Sequence, residues 1–553
     1  MDLVVFENNK AYIINEFREG RFDYLELASD VAETKFFQYL FGQGIVDQLA
    51  QHYPSPRRRH HVPLWMYVSS QLSLRLHGSH SFHSYPLIIR SGGLIDALGP
   101  EVARRQVDPQ TGNMAIWCAG FNDRNLGPRA TPCDQDYLRK LAKHTAPERL
   151  EDWYNRCVAR LYGELGAYDA EGIFIGDGSY LFVPDNENYE HSLRLLFDEH
   201  NHPVSKEEEK KMTPAQRDRC LWRRCYRVVF LLHTDRAGDR FVVAGLKVLS
   251  AKQAEAPALW ELVDTFVQAV GQGVIQVLVL DRGFIDGKQM GRLKTEHGID
   301  TVIPVRSNMD IIEDVRGIVK LGMPWKEYRP IPRDPLKPPH TLHPTAAKRE
   351  RKRQKTLAKN RAKATRQNPP DPSEVLERTL ITKIPELTSW SACPVPLTGA
   401  YSKDCYADGH EKDWLVLATQ PRWTATDIRD YYGLRTDVEE RHRQVKCFWD
   451  LTRFHSTAWN LIVSQTVFVS LTYSLLQLHL LQHGHQELNR RTRETTRRML
   501  PDGDRVLIYH QQYFAFFTLL EHTELMLSLE EKARRKALAK TRRLQKEEQL
   551  SHP

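Results

Sequence analysis

The chain has 553 residues, 41% of them hydrophobic, with 78 Lys and Arg against 70 Asp and Glu. That is enough apolar material for several packed domains, and it excludes a disordered or collagen-like chain. Eight scattered cysteines without a Cys-x2-Cys pair exclude a disulfide scaffold or a zinc ribbon. With no signal-like start and no apolar run suited to a bilayer, the expected location is the cytoplasm.

Residues 1–150 read as a helical region, with apolar spacing over Phe36 to Gln51 and Leu64 to Leu76, interrupted by Pro54, Pro56 and the basic turn Arg57-Arg58-Arg59-His60-His61. That turn suits either a phosphate contact or a solvated connection between helices. Residues 151–310 change in character. The run Gly172 to Gly176 is β-prone and ends on Asp177, flanked by glycines; the charged run Glu207 to Lys211 reads as an exposed loop. Tyr226 to His233 and Arg240 to Leu249 read as two strands joined by a turn at Asp235 to Asp239. A helix follows, with Leu259, Leu262, Val263, Phe266 and Val270 on one stripe. Val274 to Leu280 repeats the first pattern, a nearly continuous apolar strand ending on Asp281-Arg282-Gly283-Phe284. Such strands are buried on both faces, and an acid at their carboxyl end sits at the rim where open α/β sheets place ligands. A helix near Lys288 to His297 and a strand from Asp300 to Arg306 complete this part.

Residues 311–422 read as an insertion. From Lys337 to Gln367 there are 11 Lys and Arg against the single acid Glu350, so the net charge of the chain is concentrated in one proline-flanked arm. Such an arm adds salt-dependent, sequence-blind affinity for phosphates. Leu376 to Ile384 and Asp413 to Thr419 alternate like strands. In residues 423–485 the run from Tyr432 to Lys446 reads as one helix. At about 100° per residue, Tyr432, Arg435, Glu439 and Lys446 share a face, which suits a phosphodiester held beside a metal. Glu439 keeps this register and its neighbour Glu440 does not. Leu461 to Leu481 reads as a core helix. Residues 486–553 read as a helical region; Leu507, Ile508, Tyr513, Phe514, Phe516, Phe517, Leu519 and Leu520 and a charged helix from Leu529 to Leu550 either pack on their own core or serve subunit contacts.

The strand and helix order, the two strand-end acids and the Tyr-x2-Arg-x3-Glu-x6-Lys spacing resemble the bacterial cut-and-paste DDE transposases encoded by insertion sequences. The likeness covers roughly residues 170–310 and 412–480. It implies an α/β, ribonuclease H-like catalytic core with a β-rich insertion and helical N- and C-terminal regions, the former helping to bind element ends. It implies that Asp177, Asp281 and Glu439 converge on two Mg2+ ions, with Mn2+ able to substitute, Asp177 bridging them. Tyr432, Arg435 and Lys446 would grip end phosphates. Double-stranded DNA, both terminal inverted repeats and target, is the implied partner of a homodimer without membrane contact. An exposed aromatic in the insertion would stack on a displaced base; Trp390, in a turn-rich stretch, is the candidate, with Trp325 and Trp414 assigned to the core. Hard carboxylate oxygens without His or Cys alongside agree with Mg2+ or Mn2+. A structure-selective nuclease and an inactive DNA-binding regulator are the alternatives.

Overall fold

The computed structural model describes residues 7–551 apart from positions 29, 79, 92, 108–113, 120, 122–130, 200, 239, 251, 331–371, 437–440, 442–444, 447, 448 and 485–504. The basic stretch 337–367 and both Glu439 and Glu440 lie outside the described residues. The chain forms two compact units, Met1–Ala146 with Arg491–Pro553, and Pro147–Arg490.

In the first unit the helix expected over 36–51 is two helices, Asp30–Gly42 and Ile45–His52. Gly44 separates them at φ 66°, a left-handed conformation that a Cβ would strain. Leu64–Leu76 is one helix, as its apolar content predicts. In the basic turn before it, the Arg57 guanidinium lies 4.6 Å over the Tyr137 ring, whereas Arg58 and Arg59 are exposed.

The C-terminal region is not all helix. Arg505–His510 and Tyr513–Thr518 form an antiparallel hairpin with Gln511 in its turn at φ 54°. The hairpin is sandwiched between Tyr24–Ala28 and Glu7–Asn8 in a four-stranded sheet. Aromatic and β-branched residues fit a pleated, half-buried surface, and that preference overrides the helical reading here. Leu507, Ile508, Phe514 and Phe517 are no more than 4% exposed. They close the core of their own unit and do not offer a surface to a second subunit.

The second unit is built on a ten-stranded mixed sheet. Its strands are β1 (Ile173–Val183), β2 (Leu193–Phe197), β3 (Leu221–Thr234), β4 (Phe241–Ser250), β5 (Val277–Leu280), β6 (Asp300–Pro304), β7 (Lys326–Tyr328), β8 (Leu376–Leu387), β9 (Leu397–Tyr406) and β10 (Glu411–Ala418). They lie in the order β7-β8-β9-β10-β6-β5-β1-β3-β2, with β4 also on β3. β1, β5 and β6 are parallel neighbours at the centre. Leu278, Val279 and Leu280 are fully buried there, as an unbroken apolar strand requires.

The insertion does not form a separate layer. β10 pairs antiparallel with β6, Val302 opposite Ala418, so the inserted strands widen the central sheet. Helix α1 (Glu255–Val270) packs Leu259, Val263 and Phe266 onto the core shared with Leu278 and Leu280. Helix α2 (Gly287–Arg292) starts at Asp286, whose side chain accepts from the Gln289 amide at 3.2 Å. Helices α3 (Asp310–Val319), α4 (Ala425–Gly433) and α5 (Trp459–Gln482) follow. Among the described residues only α5 is long and apolar enough to cross a membrane, and 94% of its most apolar stretch is buried inside the protein. The hydroxyls of Thr466 and Thr472 donate to carbonyls one turn back, at 3.0 and 2.7 Å, so these buried polar groups are satisfied within the helix. The run expected as a loop at Glu207 to Lys211 is instead a short exposed helix, Lys206–Lys211. A reciprocal cap between Ser205 and Glu208 starts it.

Candidate active site

Strand register brings the two aspartates together. β1 and β5 run parallel with Ile173 opposite Val277 and Gly176 opposite Leu280, so the next residues, Asp177 and Asp281, fall side by side. Asp281 ends its strand as expected. Asp177 does not: β1 continues to Val183, because Tyr180 and Phe182 pair onward with Arg227 and Cys225 of β3. Asp177 is thus a mid-strand residue level with the carboxyl end of the shorter β5. Beyond Asp281 the chain makes a tight turn, with the Phe284 amide donating to the Asp281 carbonyl at 2.9 Å and Phe284 anchored in the core. Arg306 holds that turn from outside, donating to the carbonyls of Arg282 and Gly283 at 3.2 and 3.3 Å.

One guanidinium faces both acids. Arg435 Nη2 lies 3.6 Å from Asp177 Oδ1 and 3.7 Å from Asp281 Oδ1. Burial pushes the Asp177 carboxyl up to about 6; Arg435 pulls it down, and the neighbouring charge of Asp281 pushes it up again. The cation is the counterweight to two closely set anions in a desolvated place. Lys446 donates to the hydroxyl of Ser179, two residues beyond Asp177 on the same face of β1. Tyr432 is half-buried, its ring 5.8 Å from that of Trp414; burial raises its phenol, and Arg435 beside it opposes the rise.

The expected single helix from Tyr432 to Lys446 is interrupted. α4 ends at Gly433, and the Leu434 amide turns back to the carbonyl of Tyr431 at 3.1 Å, three residues away. Glycine is a poor helix interior residue, and the break is one turn residue long: Leu434 keeps helical dihedrals and Arg435 and Thr436 are helical again. The structure therefore gathers Asp177, Asp281, Tyr432, Arg435 and Lys446 in one region, while Glu439 and Glu440 lie outside the described residues. Asp286 serves as the cap of α2.

Trp390 is not the exposed aromatic it was expected to be. It is half-buried and packs against the main core of this unit, its carbonyl accepting from the Cys393 amide at 3.0 Å. An aromatic-lined cavity lies instead beside Tyr432. It has a volume of about 490 Å3 and is lined by Tyr328, Trp414, Arg429, Tyr431 and Tyr432, with Asp404 among its polar groups. Arg429 stacks 3.7 Å from the Trp414 ring, whose indole N–H donates to Asp404 at 3.0 Å.

Glu255, the first residue of α1, escaped the sequence reading. Its carboxylate packs over Gly178, where a Cβ would come within 2.7 Å of Oε2. Arg227 lies 3.9 Å from it; burial raises its carboxyl, Arg227 lowers it, and Asp281 raises it. This contact explains why glycine follows Asp177. Only the coincidence of a glycine with an acid at a helix start hinted at it, and their adjacency is tertiary.

The donor set fits a divalent cation. Two hard carboxylates lie side by side, one of them desolvated, and such oxygen donors suit Mg2+ or Mn2+, which would take the place that Arg435 fills opposite them. Among the described residues no group of three or more His, Cys, Asp or Glu that could hold a metal ion is assembled.

A paired-aspartate site on a mixed sheet of this kind is a setting for phosphoryl transfer. The chain matches the family described as "Transposase DDE domain" over residues 191–475, just over half its length, and it belongs to that family. Asp281, Tyr432, Arg435 and Lys446 fall within the matched residues, and Asp177 falls upstream of them on the strand that pairs with β5. No curated protein matches the chain. The family consists of metal-dependent enzymes that process DNA, and DDE transposases generally use divalent metals.

Proposed function

We propose that the chain is an insertion-sequence transposase of the Tyr-x2-Arg-x3-Glu-x6-Lys class, cutting element ends and joining them to target DNA. β1, β3, β4, β5 and β6 would be its ribonuclease H-like core. The observation that carries this reading is the parallel register setting Asp177 beside Asp281 with Arg435 across both. Asp177, Asp281 and Glu439 would hold two divalent cations, which when bound would stabilise charge on the attacking and departing oxygens. The reaction is two phosphoryl transfers. Water attacks a phosphodiester at the element end and displaces its 3′-oxygen; the freed 3′-hydroxyl then attacks a second phosphodiester, in the opposite strand to form a hairpin or in target DNA, and displaces the 3′-oxygen there.

The chain's own groups position these events. Arg435, held by carboxylates that would turn to cations, is set to swing to a phosphate oxygen, where its planar donors fit well. Lys446 supplies a point charge along β1, and Tyr432 a phenol between Arg435 and the aromatic cavity. That cavity, not Trp390, has the size and lining for an unstacked base. Residues of 1–146 would bind the ends, and two subunits would hold a pair of them.

The test uses a labelled duplex in which the inverted repeat that flanks the coding sequence is joined to flanking DNA, a supercoiled target and Mg2+. Wild type is expected to free a 3′-hydroxyl at the repeat and join it to the target; Asp177→Asn and Asp281→Asn should bind the end and cut nothing. Cutting of branched or random duplex without preference for the repeat would instead indicate a nuclease. Retained cleavage by Asp177→Asn would remove the site.

A further inference from the structure

We infer that the last helix of the chain, Glu531–Ser551, is a phosphate-binding rail for duplex DNA, an inference that rests on the DNA-processing reading above. Between Glu531 and Glu547 the sequence places eight Lys and Arg and no acid. Several of these charges have structural work. Arg534 donates to the carbonyls of Met526, Leu527 and Leu529 and so caps the preceding helix Leu519–Ser528. Lys540 lies 4.6 Å over the Phe22 ring, and the stem of Lys536 runs beside Gly20. Ala537 is 1% exposed and Ala533 packs on the same core, which fixes the inward face.

At about 100° per residue, Lys532, Arg535 and Arg542 fall opposite Ala537. All three are exposed. Arg535 reaches back to Glu531, the one acid at the start of the helix. Lys532, Lys536 and Lys540 stand four residues apart, and like charges at that spacing destabilise a helix. A solvated helix would gain from acids at these steps. A helix whose exposed face is this densely basic is matched to a polyanion, and in a DNA-processing chain the regular row of duplex phosphates is the polyanion of that shape. The contact should be blind to sequence, since a single straight row of cations along one helix face follows the backbone phosphates of a duplex.

The experiment compares full-length wild type, the triple variant Lys532→Gln, Arg535→Gln, Arg542→Gln, and a control that loses the same charge elsewhere, Lys206→Gln, Lys210→Gln, Lys211→Gln. Binding to random-sequence duplex and to phosphatidylglycerol vesicles is measured from 50 to 300 mM salt. The triple variant should bind duplex roughly tenfold or more weakly at 0.1 M salt, with a log K against log salt slope shallower by about three, and should unfold no earlier than wild type. The control should bind like wild type. Equal affinity and slope for the triple variant and wild type would overturn the rail while leaving DNA binding intact. So would an equal loss in the control, or a loss on vesicles alone. Failure of wild type to bind any duplex would instead overturn the DNA-processing reading itself.

Discussion

Replacing Asp177 should destroy cleavage and stabilise the metal-free protein. Burial raises this carboxyl from 3.8 to about 6, a net figure that already contains the attraction of Arg435. A group whose folded pKa is raised contributes stability that is fully present below the unfolded value and lost as pH rises through the folded one. About two pKa units correspond to about 3 kcal/mol, so at pH 7.5 the ionised Asp177 costs the fold up to that amount. Asp177→Asn removes the charge and nearly keeps the volume. In chelator at pH 7.5 the variant should unfold some 5 °C above wild type, at roughly 2 °C per kcal/mol for a unit of this size. The difference should shrink below about pH 4, where wild type is protonated in both states. Added Mg2+ should reverse the order, because only wild type gains from binding. Thermal unfolding at pH 4 and 7.5, with chelator and with Mg2+, reads all four cases. An equal gain at both pH values, or no gain in chelator at pH 7.5, would refute the reasoning.

Other outcomes follow from the same geometry. Arg435→Gln takes the cation from between two acids, so Asp177 should titrate higher and the acid limb of the cleavage pH profile should move upward; an unmoved limb would detach Arg435 from the pair. Gly178→Ala drives a methyl into the Glu255 carboxylate and should cost about 1–3 kcal/mol, with most of it recovered on adding Glu255→Ala in a denaturation cycle. Trp390→Ala should lower stability by roughly 1–3 kcal/mol and leave end cleavage per folded molecule unchanged, whereas Trp414→Ala, which opens the aromatic cavity, should slow cleavage. Cleavage assays normalised to folded protein separate those two.

What could be read from the sequence is what local chemistry decides. Val277 to Leu280 announces a central strand because nothing polar interrupts it, and the acid that ends it is therefore visible. The Leu64 to Leu76 helix and the buried α5 were legible from their high apolar content, although Ser and Gln stand within both. Boundaries set by partners were not. β1 runs past Asp177 because β3 is there to pair with it, and the hairpin at Arg505 to Thr518 forms because Tyr24–Ala28 and Glu7–Asn8 flank it from the other end of the chain. Gly44 and Gly433 were in plain view, but periodicity alone does not weigh one glycine against a run of apolar residues. Trp390 sits among turn residues, a composition that suggests exposure, and only the main core of its unit covers it. Arg435 was placed with the phosphate-binding groups by register; its approach to both aspartates is a tertiary fact.

Whether Asp281 is a metal ligand for DNA cleavage is tested most directly by a change of ligand. Asp281 is partly exposed at the strand end, with its side chain 32% accessible, so a shorter thiol can be placed there without disturbing the core. A thiolate is a poor partner for hard Mg2+ and a better one for Mn2+. Asp281→Cys should cut the element end in Mn2+ and not in Mg2+, while wild type cuts in both. Equal cutting by the variant in Mg2+, or cutting by wild type in chelator, would contradict the claim.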